Sequence, residues 1–362
     1  MGSLRILRAE QVDEWQAVLN RTEQYDFFHL PGYHQLAEKR GEGSARLFVY
    51  EEGDYLVALP LLIRPIEAVP GLEKTGRGYY DATSVYGYAG PVVFRTEVTA
   101  EFLNQFRNSL ISTLKEIGVV AVFSRLHPLI EQHHILAGLG ECPVIGRTVS
   151  IDLTLPPEVQ FARYRKDHRQ GVRHLKRHGV VCEIDHAFRY LDDFVNIYKE
   201  TMQKANAKEY YYFDNEFFRG LAGMPEVHLF VCKLSGKVIC AGLQTLCNGI
   251  VQHFLSGTRH EYRKLAPTKL LIDGVRLWAI EQKAKVLHLG GGRGSQEDSL
   301  FLFKAGFSDR RHDFAVWRWI VEPEIYEKLC SEKERWNRRN GFQCASIDYF
   351  PAYRAPVDKE SG

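Results

Sequence analysis

An internal repeat constrains this chain more tightly than any single motif, because a duplicated unit sets both the domain count and the order of elements. Leu47-Phe48-Val49-Tyr50-Glu51-Glu52-Gly53-Asp54-Tyr55-Leu56-Val57-Ala58 reads as a strand, a glycine-containing turn and a second strand, the pattern of a β-hairpin. Residues 229–241 repeat it with one extra residue at the turn. The flanks repeat as well. Stretches with helical spacing precede each hairpin, at 9–20 and 32–40 in the first half and at 190–205 and 215–223 in the second. Behind the first hairpin come a strand, an amphipathic helix over 101–117 and a strand over 119–123. Behind the second come a strand over 250–256, a helix over 267–283 and a strand over 286–289. Pro267 suits the start of that helix, where its missing donor is not needed. Both halves therefore predict ααββ(β)αβ.

Composition narrows the class. The 362 residues leave room for two domains, and 45% hydrophobic with 25% charged residues is the usage of a packed globular chain rather than a disordered one. The longest strongly apolar run, 55–63, contains Pro60 and falls far short of the roughly 20 residues that span a bilayer, so no transmembrane segment is expected. The start, Met-Gly-Ser-Leu-Arg-Ile, lacks the apolar core of a signal peptide and has Ile6 where a myristoylation signal wants Ser or Thr; a cytoplasmic protein is expected. Seven cysteines without a Cys-x-x-Cys pair announce neither a zinc clamp nor a disulfide framework, and His133, His134 and His253 lack metal-ligand spacing and read as ordinary histidines. No metal is expected. A net charge of +2 does not advertise a nucleic-acid protein, so any basic surface must be local.

The order of elements is similar to that of the GNAT acyltransferase fold. The prediction is an α/β protein with α+β mixed sheets, built as two tandem GNAT-like domains over 1–153 and 154–316, with 317–362 packing back onto the first. Pro156-Pro157 marks the seam, since consecutive prolines cannot continue a sheet. GNAT acetyltransferases hold the pyrophosphate of acetyl-coenzyme A with a glycine-rich loop at a helix N-terminus. The equivalent segment here, 256–269, has no glycine between Arg259 and Lys269 and carries Glu261 and Tyr262 instead. Acetyl-coenzyme A is therefore disfavoured, and no cofactor is expected. Glycine gathers at Gly290-Gly291-Gly292-Arg293-Gly294, which completes neither the phosphate-loop nor the dinucleotide pattern. It reads either as a turn leaving a strand or as a place where a ligand approaches the backbone closely.

Two charged features stand out. Arg165, Arg169, Arg173 and Arg177 recur every fourth residue, a spacing that puts them in one row on a helix. Like charges so placed destabilise a helix by roughly 0.2–0.5 kcal/mol per pair. The row is either a solvated face or a set of arginine forks for phosphates. Lys304 sits in the nearly apolar run Ser299-Leu300-Phe301-Leu302-Phe303-Lys304-Ala305-Gly306-Phe307. It is either a stem reaching water or a charge held to stabilise a developing anion; its place just beyond the glycine cluster favours the second.

With the duplicated unit, the basic helix and the Gly-Gly-Gly…Phe-Lys-x-Gly-Phe ending, the chain resembles the Fem family, aminoacyl-tRNA-dependent peptidyl transferases best known for building the peptidoglycan cross-bridge. Tyr79-Tyr80-Asp81-Ala82-Thr83-Ser84-Val85-Tyr86-Gly87-Tyr88-Ala89-Gly90-Pro91 is similar to the family's first-domain motif, and Phe303-Lys304-Ala305-Gly306-Phe307 to its last. Tyr349-Phe350-Pro351-Ala352-Tyr353-Arg354 is similar to a family ending that returns to the first domain. No charged heptad stretch could form the coiled-coil arm of some members, so the compact branch is expected.

The resemblance implies that an acceptor amine attacks the ester carbonyl of an aminoacyl-tRNA. The acceptor would be a peptide, a UDP-linked muropeptide or a small-molecule amine of a cell-wall or antibiotic pathway. It assigns Lys304 to the developing negative charge or to the terminal phosphate-ribose of the tRNA, and Arg169 and Arg173 to phosphates. Gly291 and Gly292 would let a substrate backbone lie close. Asp81 is a candidate for orienting the amine or for capping a turn, and Tyr86 for substrate binding beside it. The rivals are an acyl-coenzyme A-dependent N-acyltransferase and a non-catalytic module for anionic glycans or RNA.

Overall fold

The computed structural model describes residues 2–94, 98–205, 209–344 and 348–359. Met1, at the start of the N-terminal reading, and 345–347 and 360–362 of the predicted tail lie outside the described residues. Two compact units divide the chain, one formed by Met1–Val144 with Ala315–Gly362, the other by Ile145–Phe314.

The first unit begins with β1 (Ser3–Arg8), α1 (Val12–Leu19), α2 (Pro31–Lys39), β2 (Ser44–Glu52), β3 (Tyr55–Pro65), β4 (Tyr80–Thr83), α3 (Ala100–Glu116) and β5 (Val119–Arg125). Strands β1 to β4 pair antiparallel in sequence order, and β4 then pairs parallel with β5. Helix α3 is the crossover that a parallel pair requires. Its local logic is plain: Thr99 caps its start by accepting from the Phe102 N–H at 3.2 Å, and Phe102, Phe106, Leu110 and Leu114 recur on one buried face. Gly118, at φ +75°, ends the turn after it, where a Cβ would stand 2.7 Å from the Gly78 carbonyl oxygen.

The second unit repeats the order. Strand β6 (Val144–Asp152) leads to α4 (Pro157–Ala162), α5 (Lys166–Arg177), β7 (Val181–Asp185), α6 (Leu191–Lys204) and α7 (Asn215–Ala222). The meander β8 (Val227–Leu234), β9 (Lys237–Cys247) and β10 (Ile250–Thr258) follows, then α8 (Thr268–Glu281), β11 (Val286–Gly290) and α9 (Ser299–Lys304). Strands β8, β9 and β10 are antiparallel, and β10 pairs parallel with β11 across α8. The duplicated meander, helix and parallel strand expected from the sequence are present in both units. Strand β6 pairs antiparallel with β11, which is why the division falls at Val144 rather than after residue 153.

A last strand, β12 (Arg311–Ile320), carries the chain out of the second unit, and its residues 316–320 pair antiparallel with β5 in the first. Helix α10 (Pro323–Arg339) and the segment behind it complete that unit. Leu329 and Tyr353 are buried with Ile66, Val69, Leu72 and Val120, and Lys333 donates to the Pro70 carbonyl at 2.8 Å. Among the described residues no helix is long and apolar enough to cross a membrane.

Candidate active site

Chemistry gathers in the second unit around α9. Asp298 caps this helix, its Oδ1 accepting from the N–H groups of Leu300 and Phe301 at 3.1 Å each. One turn later Lys304 is half-buried, and its Nζ donates to the Gly291 carbonyl oxygen at 2.7 Å. Burial pushes its pKa down to about 8, with Asp298 opposing the shift. The ammonium uses one donor on Gly291 and keeps two for another acceptor.

Each glycine has a packing reason within the chain. A Cβ on Gly291 would stand 2.9 Å from the Arg147 carbonyl oxygen, and one on Gly292 would stand 2.0 Å from that of Gln296 and 2.5 Å from Asp298 Oδ1. On the Cβ side of each glycine stands the chain's own structure. Gly291 still serves the site, since its carbonyl orients Lys304. Gly306, in the same motif, makes room for the His168 ring, which a Cβ would approach to 2.5 Å. His168 Nε2 donates to the Phe303 carbonyl at 2.9 Å, and its ring stands edge-on to the buried Phe307 ring. The Phe-Lys-x-Gly-Phe pattern thus encodes the seat of α5 against α9.

Helix α5 buries His168, Val172 and Leu175, and of the arginine row Arg165, Arg173 and Arg177 are exposed and Arg169 is half-buried. The row is partly neutralised within the chain. Asp167 takes Arg165, Lys269 and the His168 ring, at 2.5, 3.1 and 3.0 Å, and Arg165 foremost holds its carboxyl well below the usual range. Arg169 turns inward and donates from Nη1 to the carbonyls of Ala162 and Tyr164. It closes the end of the α4 segment, a correction to its expected role as a free phosphate arm. Arg173 and Arg177 remain exposed.

These two arginines face a cleft of about 920 Å³ between α5 and the loop that enters α8, with Lys176, Lys264, Lys269 and His174 also on its wall. The loop is the segment where a pyrophosphate cradle was sought. It forms a 3-10 turn over His260–Leu265, and Ala266 takes φ +50°, where glycine is at ease. Cationic side chains line the cleft in place of a glycine-rich backbone. Lys176 on the wall is anchored to a buried network: Asp273 accepts from Arg276 Nη2 at 2.9 Å and from Lys176 Nζ at 3.2 Å, and Arg276 also donates to Gln160 Oε1 at 3.2 Å. The sequence reading missed Lys264 and Lys269, which become basic-cleft residues only when the loop folds beside α5.

His253, dismissed as ordinary, is part of a hydrogen-bonded chain on β9 and β10. Its Nδ1–H donates to Gln244 Oε1 at 3.0 Å, and its Nε2 lies 3.0 Å from Ser256 Oγ. Burial, and after it the charge of Lys304, push its pKa down to about 3.

Asp81 and Tyr86 belong to the first unit. Asp81 is fully buried between Arg64, at 2.6 Å, and Arg354, at 2.5 Å. The expected roles in orienting an amine or capping a turn give way to an ion-pair clamp that ties the C-terminal segment to β3 and β4. Tyr86 is half-buried, and its carbonyl accepts from Tyr33 Oη at 2.8 Å. Among the described residues no group of acidic, histidine or cysteine side chains is arranged to hold a metal ion.

Known proteins show the same build. A family model described as "Acetyltransferase (GNAT) domain" matches residues 162–297. The crystal structure of FemX is 14% identical and superposes with a TM-score of 0.68 over 90% of this chain and 99% of that one. The C-terminal domain of a putative lysylphosphatidylglycerol synthetase from Agrobacterium fabrum is 13% identical, with a TM-score of 0.57 over 89% of this chain and 95% of that one. L-PGS from Bacillus licheniformis is 12% identical, with a TM-score of 0.53 over 85% and 91%. No curated protein matches the sequence. The chain has a Fem-like fold of tandem GNAT units.

Proposed function

We propose that this protein is an aminoacyltransferase that moves an amino acid from aminoacyl-tRNA to the amino group of a peptide, a UDP-linked muropeptide or a small-molecule amine, in the cytoplasm. The observation that carries this reading is the lining of the cleft beside α8. A GNAT cofactor loop offers a pyrophosphate close backbone donors; here Arg173, Arg177, Lys264 and Lys269 offer charge on long side chains instead. Lys269 is already held by Asp167, so Arg173, Arg177 and Lys264 are the arms that suit phosphates of a nucleic-acid backbone, which are held chiefly by lysine and arginine. The Fem-like fold agrees with it.

The chemistry asks little of the enzyme beyond alignment and charge. The donor ester is activated, so the acceptor amine attacks its carbonyl once the two are held together. The carbonyl oxygen gains negative charge, and Lys304 supplies the compensating ammonium from its half-buried position. The bond to the ribose oxygen then breaks, leaving an amide and free tRNA.

A second reading, acyl transfer from acyl-coenzyme A, draws on the match of residues 162–297 to a GNAT domain. Total tRNA charged with radiolabelled amino acids, offered with peptide and muropeptide acceptors, separates the two. Label passing from tRNA into an acid-stable product is expected; transfer from acetyl-coenzyme A with tRNA left charged would overturn the tRNA reading.

A further inference from the structure

Three features beyond the basic cleft could carry chemistry: the acidic hollow near Glu52 and Glu101, the buried histidines of the first unit, and the chain Ser256–His253–Gln244. The third has both geometry and reach. On a regular strand, residues three apart point to opposite faces. Strand β10 breaks that rule: Leu243 pairs with Leu255 and Gln244 with His253, so the register shifts by one residue in a β-bulge at this point of the ladder with β9. This bulge turns Ser256 and His253 to one face, where their polar atoms meet at 3.0 Å. Bulges re-aim side chains in this way beside active sites.

Gln244 fixes the direction of the chain. It is fully buried, and its Oε1 accepts from His253 Nδ1–H. The imidazole proton is therefore held on Nδ1, and Nε2 presents a lone pair to the Ser256 hydroxyl. Gln244 Nε2, also buried, has no hydrogen-bond partner, a cost that stays in the fold when the amide is kept in this orientation. Lys304 lies close enough for its charge to act on the His253 ring.

We propose that Ser256 and His253 form a proton relay for the transfer reaction, a role that rests on the aminoacyltransferase reading above. The attacking amine gives a proton to Ser256 Oγ as the hydroxyl proton passes to His253 Nε2. As the carbon–oxygen bond breaks, the proton returns through Ser256 to the departing ribose oxygen. One N–H and one C–O bond break, one C–N and one O–H bond form, and serine and histidine end as they began. Lys304 couples to this step. In the resting site its positive charge opposes protonation of His253, but an oxyanion forming against the ammonium cancels that field and makes the imidazole more basic as the proton arrives.

The test compares His253→Gln, Ser256→Ala and the double variant with wild type. Each is first checked for an unchanged melting temperature and unchanged binding of charged tRNA. General acid–base catalysis of this type contributes about 10²–10⁴-fold. The expected result is a fall in kcat of about 10²-fold or more for each single variant, with KM held, and no further fall in the double. Replacing the tRNA donor by the 4-nitrophenyl ester of the transferred amino acid, whose leaving group departs without a proton, should recover the part of the loss that belongs to protonating the leaving oxygen and keep the part that belongs to deprotonating the amine.

Single variants within threefold of wild type, losses that multiply in the double variant, or equal loss with both donors would overturn the relay. If wild type uses acetyl-coenzyme A instead, the aminoacyl-tRNA reading fails and the same variants, measured with that donor, still decide the relay. No wild-type transfer from either donor would overturn both.

Discussion

The Lys304 ammonium is 2.7 Å from the carbonyl oxygen of Gly291, a residue thirteen positions earlier that ends the turn out of β11. The contact holds a cation at the end of a parallel strand, aimed by a backbone group that no side-chain substitution removes. Replacing Lys304 by Met keeps the stem and deletes the charge. Turnover is expected to fall by about 10²–10³-fold, the usual loss for one stabilising donor of an oxyanion, with little change in thermal stability. Steady-state kinetics with charged tRNA check this; activity within threefold of wild type would remove Lys304 from the reaction.

The same residue is expected to set an upper pH limit. Burial lowers its pKa to about 8, against the pull of Asp298 on the same helix and with His253 neutral nearby. The charged form is present below that value and is lost as pH rises through it. The rate should decline above pH 8, and Lys304→Arg should carry any residual rate to higher pH without that decline, because guanidinium stays charged.

The cleft makes a prediction about salt. Arg173→Ala and Arg177→Ala should weaken tRNA binding and flatten its dependence on salt, each phosphate contact contributing about −0.7 to −0.9 to the slope of log K against log salt. Arg169→Ala should behave differently. Its guanidinium holds carbonyls of Ala162 and Tyr164, so the loss is expected in melting temperature, with the salt slope unchanged. Filter-binding titrations at several salt concentrations distinguish the two classes.

Asp81→Asn tests the clamp. The side chain is fully buried between Arg64 and Arg354, and removing its charge leaves two arginines facing each other. Breaking a buried pair of this kind costs roughly 3–5 kcal/mol, and the partial exposure of both arginines puts the expected value at the lower end. Denaturant unfolding measures it, and proteolysis should begin in the C-terminal segment. An unchanged midpoint would show that Asp81 does not hold the tail.

Acid should destabilise the first unit. His29 and His34 are fully buried, and desolvation lowers their pKa values to about 3 and 4. For His29, His127 adds to the shift and Asp26 opposes it. Since the unfolded chain binds protons near pH 6.5 and the folded chain does not, stability is full above 6.5 and is lost progressively down to about pH 3–4. His34→Phe, which keeps a ring against Trp15, should make the melting temperature less sensitive between pH 6 and 4.

The repeat and its elements were legible in the sequence because hairpins, amphipathic helices and proline-led turns are written in local periodicity. Lys304 was legible for the same reason, as one charge in an apolar run. The partners of a side chain are not local. Asp81 reads as a free carboxylate until Arg354 returns to it, and Arg169 reads as one of a row until Tyr164 is folded back. His253 was opaque for another reason: the register shift in β10 that turns it toward Ser256 has no signature in composition or spacing.

The unit that opens the chain also closes it. All of Ile145–Phe314 is synthesised before Leu329, Tyr353 and Arg354. Until then the patch of Ile66, Val69, Leu72 and Val120 lacks its cover, and Asp81 has only Arg64. Domains fold as their sequences become complete during synthesis, so the second unit is free to mature first although its residues are made later. A stop codon between Leu329 and Arg354 would therefore damage the half of the protein that was synthesised first.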